Sequence, residues 1–275
     1  MIDVLLEFTQ KAGKYLRAQQ KNIKPILNKS ASVESVVTKA DLYVSNLFEK
    51  TIKKHFSYLN YLIIDEEKIT KFGDDVFEKI EASEYQFVID PVDGTLQYTH
   101  NHPLYGLTVG VYKNRKPLLG IIYLPELNEL PYFDGKKAWW VQKAFQKKAV
   151  KTELLPGTKS KAPLIFGHHW LWKISDKFST SKALLVDYYS AVSQSFYCLT
   201  GRAKGYCMKL NLWDIAGTIP LADYLGMKIH EYASDKIYDG ISAEYFNPNM
   251  STRSYAVLCY PEDFAEIKSL ISPRK

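Results

Sequence analysis

The residues with the clearest chemical potential lie in Asp90-Pro91-Val92-Asp93-Gly94-Thr95. The run Gln86-Phe-Val-Ile89 reads as a buried strand that delivers Asp90 at its end. Pro91 fixes the backbone, and Gly94 permits close approach or a positive φ before a helical turn starts near Thr95. Two carboxylates three residues apart can then converge on one point, and oxygen-only donors suit a hard cation such as Mg²⁺ rather than zinc. Amides of Gly94 and Thr95 at a helix start offer donors to a phosphate. One loop could therefore hold metal and anion together.

Further acids fit the same logic. Asp65-Glu66-Glu67 follows the β-rich run Tyr61-Leu-Ile-Ile64, and Trp213-Asp214-Ile215-Ala216-Gly217 puts an acid at a helix start beside an anchoring aromatic and two small residues. Asp41, in Thr38-Lys39-Ala40-Asp41, opens a second helix. Ligands bind outside the carboxyl ends of strands in open α/β sheets, so such acids tend to gather there. Each motif also has a purely structural reading: a turn for Asp-Pro-x-Asp-Gly, an N-cap for Asp214, a capping box for Thr38-x-x-Asp41.

The elements that must position these residues are legible from periodicity. Residues 3–20 and 39–56 carry apolar side chains at helical spacing. Leu104 to Tyr112 and Pro117 to Tyr123, separated by Lys113-Asn-Arg-Lys116, read as an antiparallel hairpin. Leu164-Ile-Phe166 and Leu184-Leu-Val186 look like buried strands, while Ala191 to Thr200 and Asp214 to Leu225 look like helices, an alternation typical of α/β architecture. The polar, lysine-rich stretch from about Gln142 to Lys161 is the best boundary. It divides residues 1–145, an α+β half carrying the metal loop, from 160–275, an α/β half, in one expected cooperative unit.

Composition narrows the classes. Of 275 residues 46% are hydrophobic, with 14 Gly and 12 Pro, which excludes a disordered tail and a collagen-like fibre. The acidic start Met-Ile-Asp-Val-Leu-Leu-Glu is unlike a signal peptide, and no apolar run approaches a bilayer span, so a cytoplasmic protein with no membrane association is expected. Three cysteines without a CxxC pair point to buried thiols. The net charge of +6 is spread over lysine-rich loops without a nucleic-acid-binding motif, and it suits an anionic metabolite equally well. No G-x-S-x-G elbow or reactive cysteine context suggests a protein nucleophile.

In this order and spacing, Asp65-Glu66-Glu67, Asp90-Pro91-Val92-Asp93-Gly94-Thr95 and Trp213-Asp214-Ile215-Ala216-Gly217 resemble the signatures of the inositol monophosphatase family of magnesium-dependent, lithium-sensitive phosphatases. The resemblance implies an αβαβα layered sandwich of the inositol monophosphatase/fructose-1,6-bisphosphatase type, assembled as a homodimer. It implies two or three Mg²⁺ ions, replaceable by Mn²⁺ and inhibited by Li⁺. Carried over by position, it assigns Glu67, Asp90 and the Val92 carbonyl to one Mg²⁺, and Asp90, Asp93 and Asp214 to a second. It further implies that Asp41 and Thr95, with Glu67, activate the attacking water, and that Asp93, Gly94, Thr95, Ser190, Ala191 and Asp214 contact the substrate. Four crowded carboxylates repel by several kcal/mol per pair, at order of magnitude, unless cations neutralise them, and two Mg²⁺ balance four charges.

The implied activity is hydrolysis of a small phosphomonoester, an inositol phosphate or related polyol or sugar phosphate, by metal-activated water. Alternatives on the same fold are a 3′(2′),5′-bisphosphate nucleotidase, a histidinol phosphatase or a fructose bisphosphatase; the non-enzyme alternative is a regulatory RNA- or protein-binding module. Departures from the family pattern bear on substrate. Asp65 and Tyr189 stand where glycines are usual, and the acid that contacts inositol hydroxyls aligns with about Met208, so a polyol contact is lost. His100 and His102 read as turn or capping residues, His168-His169 as a strand end, and Trp139-Trp140 as either a pocket wall or strand packing.

Overall fold

The computed structural model describes residues 1–22, 39–71, 73–158, 162–168, 171–234 and 236–274. Thr38, Lys159 to Lys161, His169 and Trp170 lie outside them.

Helices α1 (Ile2–Gln20) and α2 (Lys39–Phe56) open the described chain, with the bounds that apolar spacing indicated to within a residue. Strand β1 (Tyr61–Asp65), a 3₁₀ turn (Glu66–Lys71), α3 (Val76–Ala82), β2 (Tyr85–Asp93) and the short α4 (Thr95–Thr99) follow. Then come β3 (Gly106–Lys113), β4 (Lys116–Tyr123), β5 (Glu129–Phe133), β6 (Ala138–Gln142) and β7 (Val150–Leu154). Strands β1 to β7 form one sheet in sequence order, with β1 and β2 parallel and the rest antiparallel. The β3–β4 hairpin is closed by Asn114 and Arg115, at φ 49° and 68°; two left-handed central residues match the right-handed twist of paired strands.

The rest of the chain builds a second sheet. Its elements are β8 (Leu164–Gly167), β9 (Trp172–Ile174), α5 (Asp176–Ser181), β10 (Leu184–Val186), α6 (Ala191–Leu199) and β11 (Gly205–Met208). They continue through α7 (Leu212–Ile215), α8 (Thr218–Leu225), β12 (Lys228–Glu231), β13 (Ala256–Cys259), α9 (Pro261–Leu270) and β14 (Ile271–Pro273). The sheet order is β10-β8-β11-β13-β12, and β14 pairs with β9 in a separate ribbon.

Three apolar layers hold the sandwich together, and strand parity sorts residues among them. Phe87 and Ile89 of β2 and Leu107, Val109 and Val111 of β3 face the α1–α2 pair, with Leu5, Phe8, Val44 and Phe48. Val88, Tyr112 and Ile122 face the other way, into the layer that Phe196, Ile219 and Leu221 of α6 and α8 share with Phe166, Tyr206 and Leu258 of the second sheet. Val257 and Cys259 leave that sheet on its far side, beneath Phe264 and Ile267 of α9. The order α, β, α, β, α is the expected layered sandwich. Cys198, Cys207 and Cys259 are buried free thiols.

Two local features depart from the sequence reading. The helix expected over Asp214 to Leu225 is two helices, α7 and α8, joined at Ala216 and Gly217. The joint lies on the first sheet: a Cβ at Gly110 would sit 2.3 Å from the Ala216 carbonyl oxygen, and one at Gly217 would sit 2.3 Å from that of Ile121. Tyr112 donates its hydroxyl to the Ala216 carbonyl at 2.9 Å, and the Gly217 amide donates to Thr108 Oγ1 at 3.0 Å. The polar stretch after Gln142 contains β7, an edge strand whose Val150, Lys151 and Thr152 are exposed. Its weak apolar pattern made it read as a linker.

Candidate metal centre

A cleft of about 460 Å³ opens outside the carboxyl ends of β2, β8 and β11. Its floor is acidic. Asp90, Asp93 and Asp214 each offer a carboxylate oxygen within 4.8 Å of the others, and Glu66, Val92, Gly94 and Thr95 line the same cavity.

Each acid is held by local chemistry. Asp90 ends the regular part of β2, its Oδ1 accepting the Val92 amide at 3.0 Å, and the β2–β3 register shifts between Asp90 and Asp93 to turn the loop inward. Gly94 follows at φ 76°, a left-handed conformation, and a Cβ there would meet Ser190 Cβ at 3.0 Å. Asp93 crosses to the start of α6, where its carboxylate accepts the Ala191 and Val192 amides at 3.0 and 2.9 Å and the Ser190 hydroxyl. Ser190 is itself the N-cap, accepting from the Ser193 amide at 3.1 Å. Asp214 sits at the third position of α7 in a capping box with Asn211, whose amide it receives at 2.7 Å. The N-cap expected at Asp214 is therefore Asn211, three residues earlier, because α7 starts at Leu212; Asp214 closes the capping box from inside the helix and still faces the cleft.

Burial and crowding disturb these acids. Desolvation pushes Asp93 up to about 6, against the lowering effect of Ser190 and the α6 amides. Asp214 is pushed up to about 7 by burial and then by the charge of Asp93. Glu66 and Asp90 are raised well above the carboxylate range by burial first, then by Asp214 on Glu66 and by Glu66 and Asp93 on Asp90. An all-oxygen cluster that holds protons near neutrality is one whose charge a hard divalent cation can replace, so the residues present fit Mg²⁺.

The expected residues are partly gathered. Asp90, Val92, Asp93, Gly94, Thr95, Ser190, Ala191 and Asp214 all line the cleft. Glu67 does not line it; its neighbour Glu66 does. The reason is strand parity. Leu62 and Ile64 of β1 pack toward the layer between the sheets, Tyr61 and Ile63 toward α1 and α2. Asp65 keeps to the α2 side, buried and accepting Ser45 Oγ at 2.6 Å and the Glu67 amide at 3.1 Å. Glu66 takes the cleft side, and Glu67 lies where Asp41 and Asp65, after burial, push it up to about 7. Asp41 is buried in the first turn of α2, behind the floor rather than in its lining. Thr95 donates its hydroxyl to the Val92 carbonyl at 3.0 Å.

The other conspicuous side chains settle elsewhere. His100 Nδ1 contacts the Leu96 carbonyl at 2.9 Å at the end of α4, and Trp139 and Trp140 on β6 bond Asp134 and Glu129 outside the cleft lining. Met208 is wholly buried, whereas Lys209 beside it lines the cleft. Tyr189 stands at φ 53°, the left-handed region where glycine is at ease. Sequence reasoning passed over Glu66, Lys209, Tyr206 and His168 as cleft residues; parity along β1 was the signal available for Glu66.

Fold and floor together define a layered α/β protein with a candidate divalent-metal centre at its strand ends. The profile of the inositol monophosphatase family matches residues 1–245, and the chain belongs to that family. It is 25% identical over 174 residues to protein qutG of Emericella nidulans, covering 60% of this chain and 50% of that protein. It is 34% identical over 104 residues to a fructose-1,6-bisphosphatase/inositol-1-monophosphatase of Aquifex aeolicus, covering 34% and 36%. The chain thus spans about half or less of these curated relatives. Among solved structures, a staphylococcal IMPase-I complexed with products superposes with a TM-score of 0.74 at 14% identity, covering 99% of this chain and 97% of that one. A Thermotoga maritima IMPase gives 0.70 at 18%, covering 97% and 94%. These likenesses establish the fold. Among the described residues no helix is long and apolar enough to cross a membrane.

Proposed function

We propose that this chain catalyses the Mg²⁺-dependent hydrolysis of a small phosphomonoester. The observation that carries the reading is the convergence of Asp90, Asp93 and Asp214, with ligand-capable oxygens within 4.8 Å of one another, in a cleft large enough for a phosphorylated metabolite. Asp90, Asp93, Asp214 and Glu66 would hold the cations, with the Val92 carbonyl as a fifth oxygen; Glu66 takes the part that the family resemblance carried to Glu67. Bound there, divalent ions supply Lewis-acid polarisation of the phosphate, a lowered pKa for water and compensation of charge on the leaving oxygen.

The chain's own groups do the remaining work. Gly94, without a side chain, lets the phosphoryl group approach the backbone, and Ser190 and Ala191 wall the cleft beside it. The Thr95 hydroxyl, pinned to the Val92 carbonyl, orients the attacking water, and the proton passes toward the buried acids Glu67 and Asp41 behind the floor. Li⁺ inhibition by replacement of a cation, substitution by Mn²⁺, a homodimeric assembly and a cytoplasmic setting belong to the same reading. Phosphate release from a panel of phosphomonoesters, with Mg²⁺ and with chelator, tests it: turnover that depends on Mg²⁺ is expected. Absence of turnover on every member, together with salt-sensitive RNA binding, would favour a binding module instead.

A further inference from the structure

The cleft has two unlike walls. Below lie the acids. Above, at the end of β11, stands Lys209, an exposed cation in the lining of the same cavity. Some cations of the molecule are held by carboxylates, as Lys68 is by Glu49 and Asp65 and Lys204 by Asp263 and Glu266. Lys209 has no ion pair among the described residues. Its ammonium lies 5.1 Å from the centroid of the Tyr255 ring, a contact that braces the side chain without cancelling its charge.

Tyr206 of β11 also lines the cleft, but its hydroxyl is enclosed beside Gln194 and close to Asp93 and Asp214, so it belongs to the floor rather than to this wall. His168 on the same rim is matched through Nδ1 to Asp187 at 2.5 Å. At the neighbouring position Met208 is turned into the core and offers no acceptor to sugar or polyol hydroxyls.

We infer that Lys209, braced by Tyr255, receives a second anionic group of the substrate, beyond the phosphoryl group held over the acid floor. The substrate class is a phosphomonoester whose remainder carries a phosphate or carboxylate, rather than a neutral polyol. The inference rests on the hydrolase reading for its chemistry, but the charge requirement can be measured without turnover.

The test is calorimetric binding, in Mg²⁺, of methylphosphonate, phosphonoacetate and butane-1,4-bisphosphonate to the full chain and to Lys209→Met. The two probes with a second acid should bind about five- to tenfold more tightly than methylphosphonate, an advantage that shrinks with added salt and collapses in the variant. The better of the two identifies carboxylate or phosphate as the second group. Equal binding of all three probes, or an advantage that survives Lys209→Met, overturns the inference. In parallel, kcat/KM for fructose 1,6-bisphosphate, 3-phosphoglycerate and glycerol 2-phosphate should show the same preference, expressed in KM. No phosphate release from any ester would refute the hydrolase reading and leave the binding measurement to decide this one.

Discussion

The floor and the upper wall of the cleft are built on opposite principles. Every acid of the Asp90, Asp93 and Asp214 cluster is tied to backbone amides: Val92 for Asp90, Ala191 and Val192 for Asp93, Asn211 for Asp214. Lys209 hangs from the end of a strand with one aromatic ring beside it. The floor is fixed before any ligand arrives, which is what a reaction needing exact placement demands. On the reading proposed above, the wall selects by charge.

This contrast can be broken most sharply at the floor. Asp93→Asn keeps one acceptor for the α6 amides but removes a ligand charge, so turnover should fall by about two orders of magnitude or more with the circular dichroism spectrum preserved. Near-normal turnover would remove Asp93 from the site. Next in size is the difference between neighbours. Glu66→Gln should weaken Mg²⁺ binding by about tenfold or more, measured by titration calorimetry, whereas Glu67→Gln should leave metal affinity within a few-fold and act on kcat. The reverse result would restore Glu67 as the ligand.

A third perturbation acts from beneath. Gly217→Ala puts a methyl against the Ile121 carbonyl and Thr108 Oγ1, at 2.3 and 2.5 Å before relaxation. A loss of about 1–3 kcal/mol in denaturant unfolding is expected from overpacking, with weaker metal binding because Asp214 rides on the same segment. We also propose that the two halves unfold together, so intrinsic fluorescence and circular dichroism should report one transition.

The smallest effect is the pH response. The raised carboxyls bind more protons folded than unfolded, so with metal chelated the melting temperature should fall as pH rises from about 4 through the values near 6 and 7 of Asp93 and Asp214. Mg²⁺ should reverse the trend, its stabilisation growing over the same interval. A melting temperature that instead rises from pH 4 to 7 without metal would contradict the crowded floor.

How much of this was legible in the sequence depended on what kind of signal each part carries. Helices α1 and α2 follow from periodicity because each buries one face against one layer, and the β3–β4 hairpin, buried on both faces, follows from its two apolar runs and the polar turn between them. Asp90, Asp93 and Asp214 were visible as motifs because the chemistry demands those residue types at those places. Glu66 was missed for its neighbour because two adjacent acids are equivalent by type and differ only in strand parity. Strand β7 was missed because an exposed edge needs no apolar alternation. Lys209 could not be found at all from one sequence: its meaning lies in its place on the rim of the acid-floored cleft, which only three dimensions can disclose.

The bare contact between the α7–α8 joint and the first sheet has a further consequence. Backbone rests on backbone at Gly110, Gly120 and Gly217, with no side chain between to absorb displacement. A shift of β3 or β4 would therefore be passed undamped to Asp214. The spacing between the sheet and the segment that carries Asp214 is gauged by the thickness of a peptide plane, and a side chain at any of those three positions would wedge the two apart.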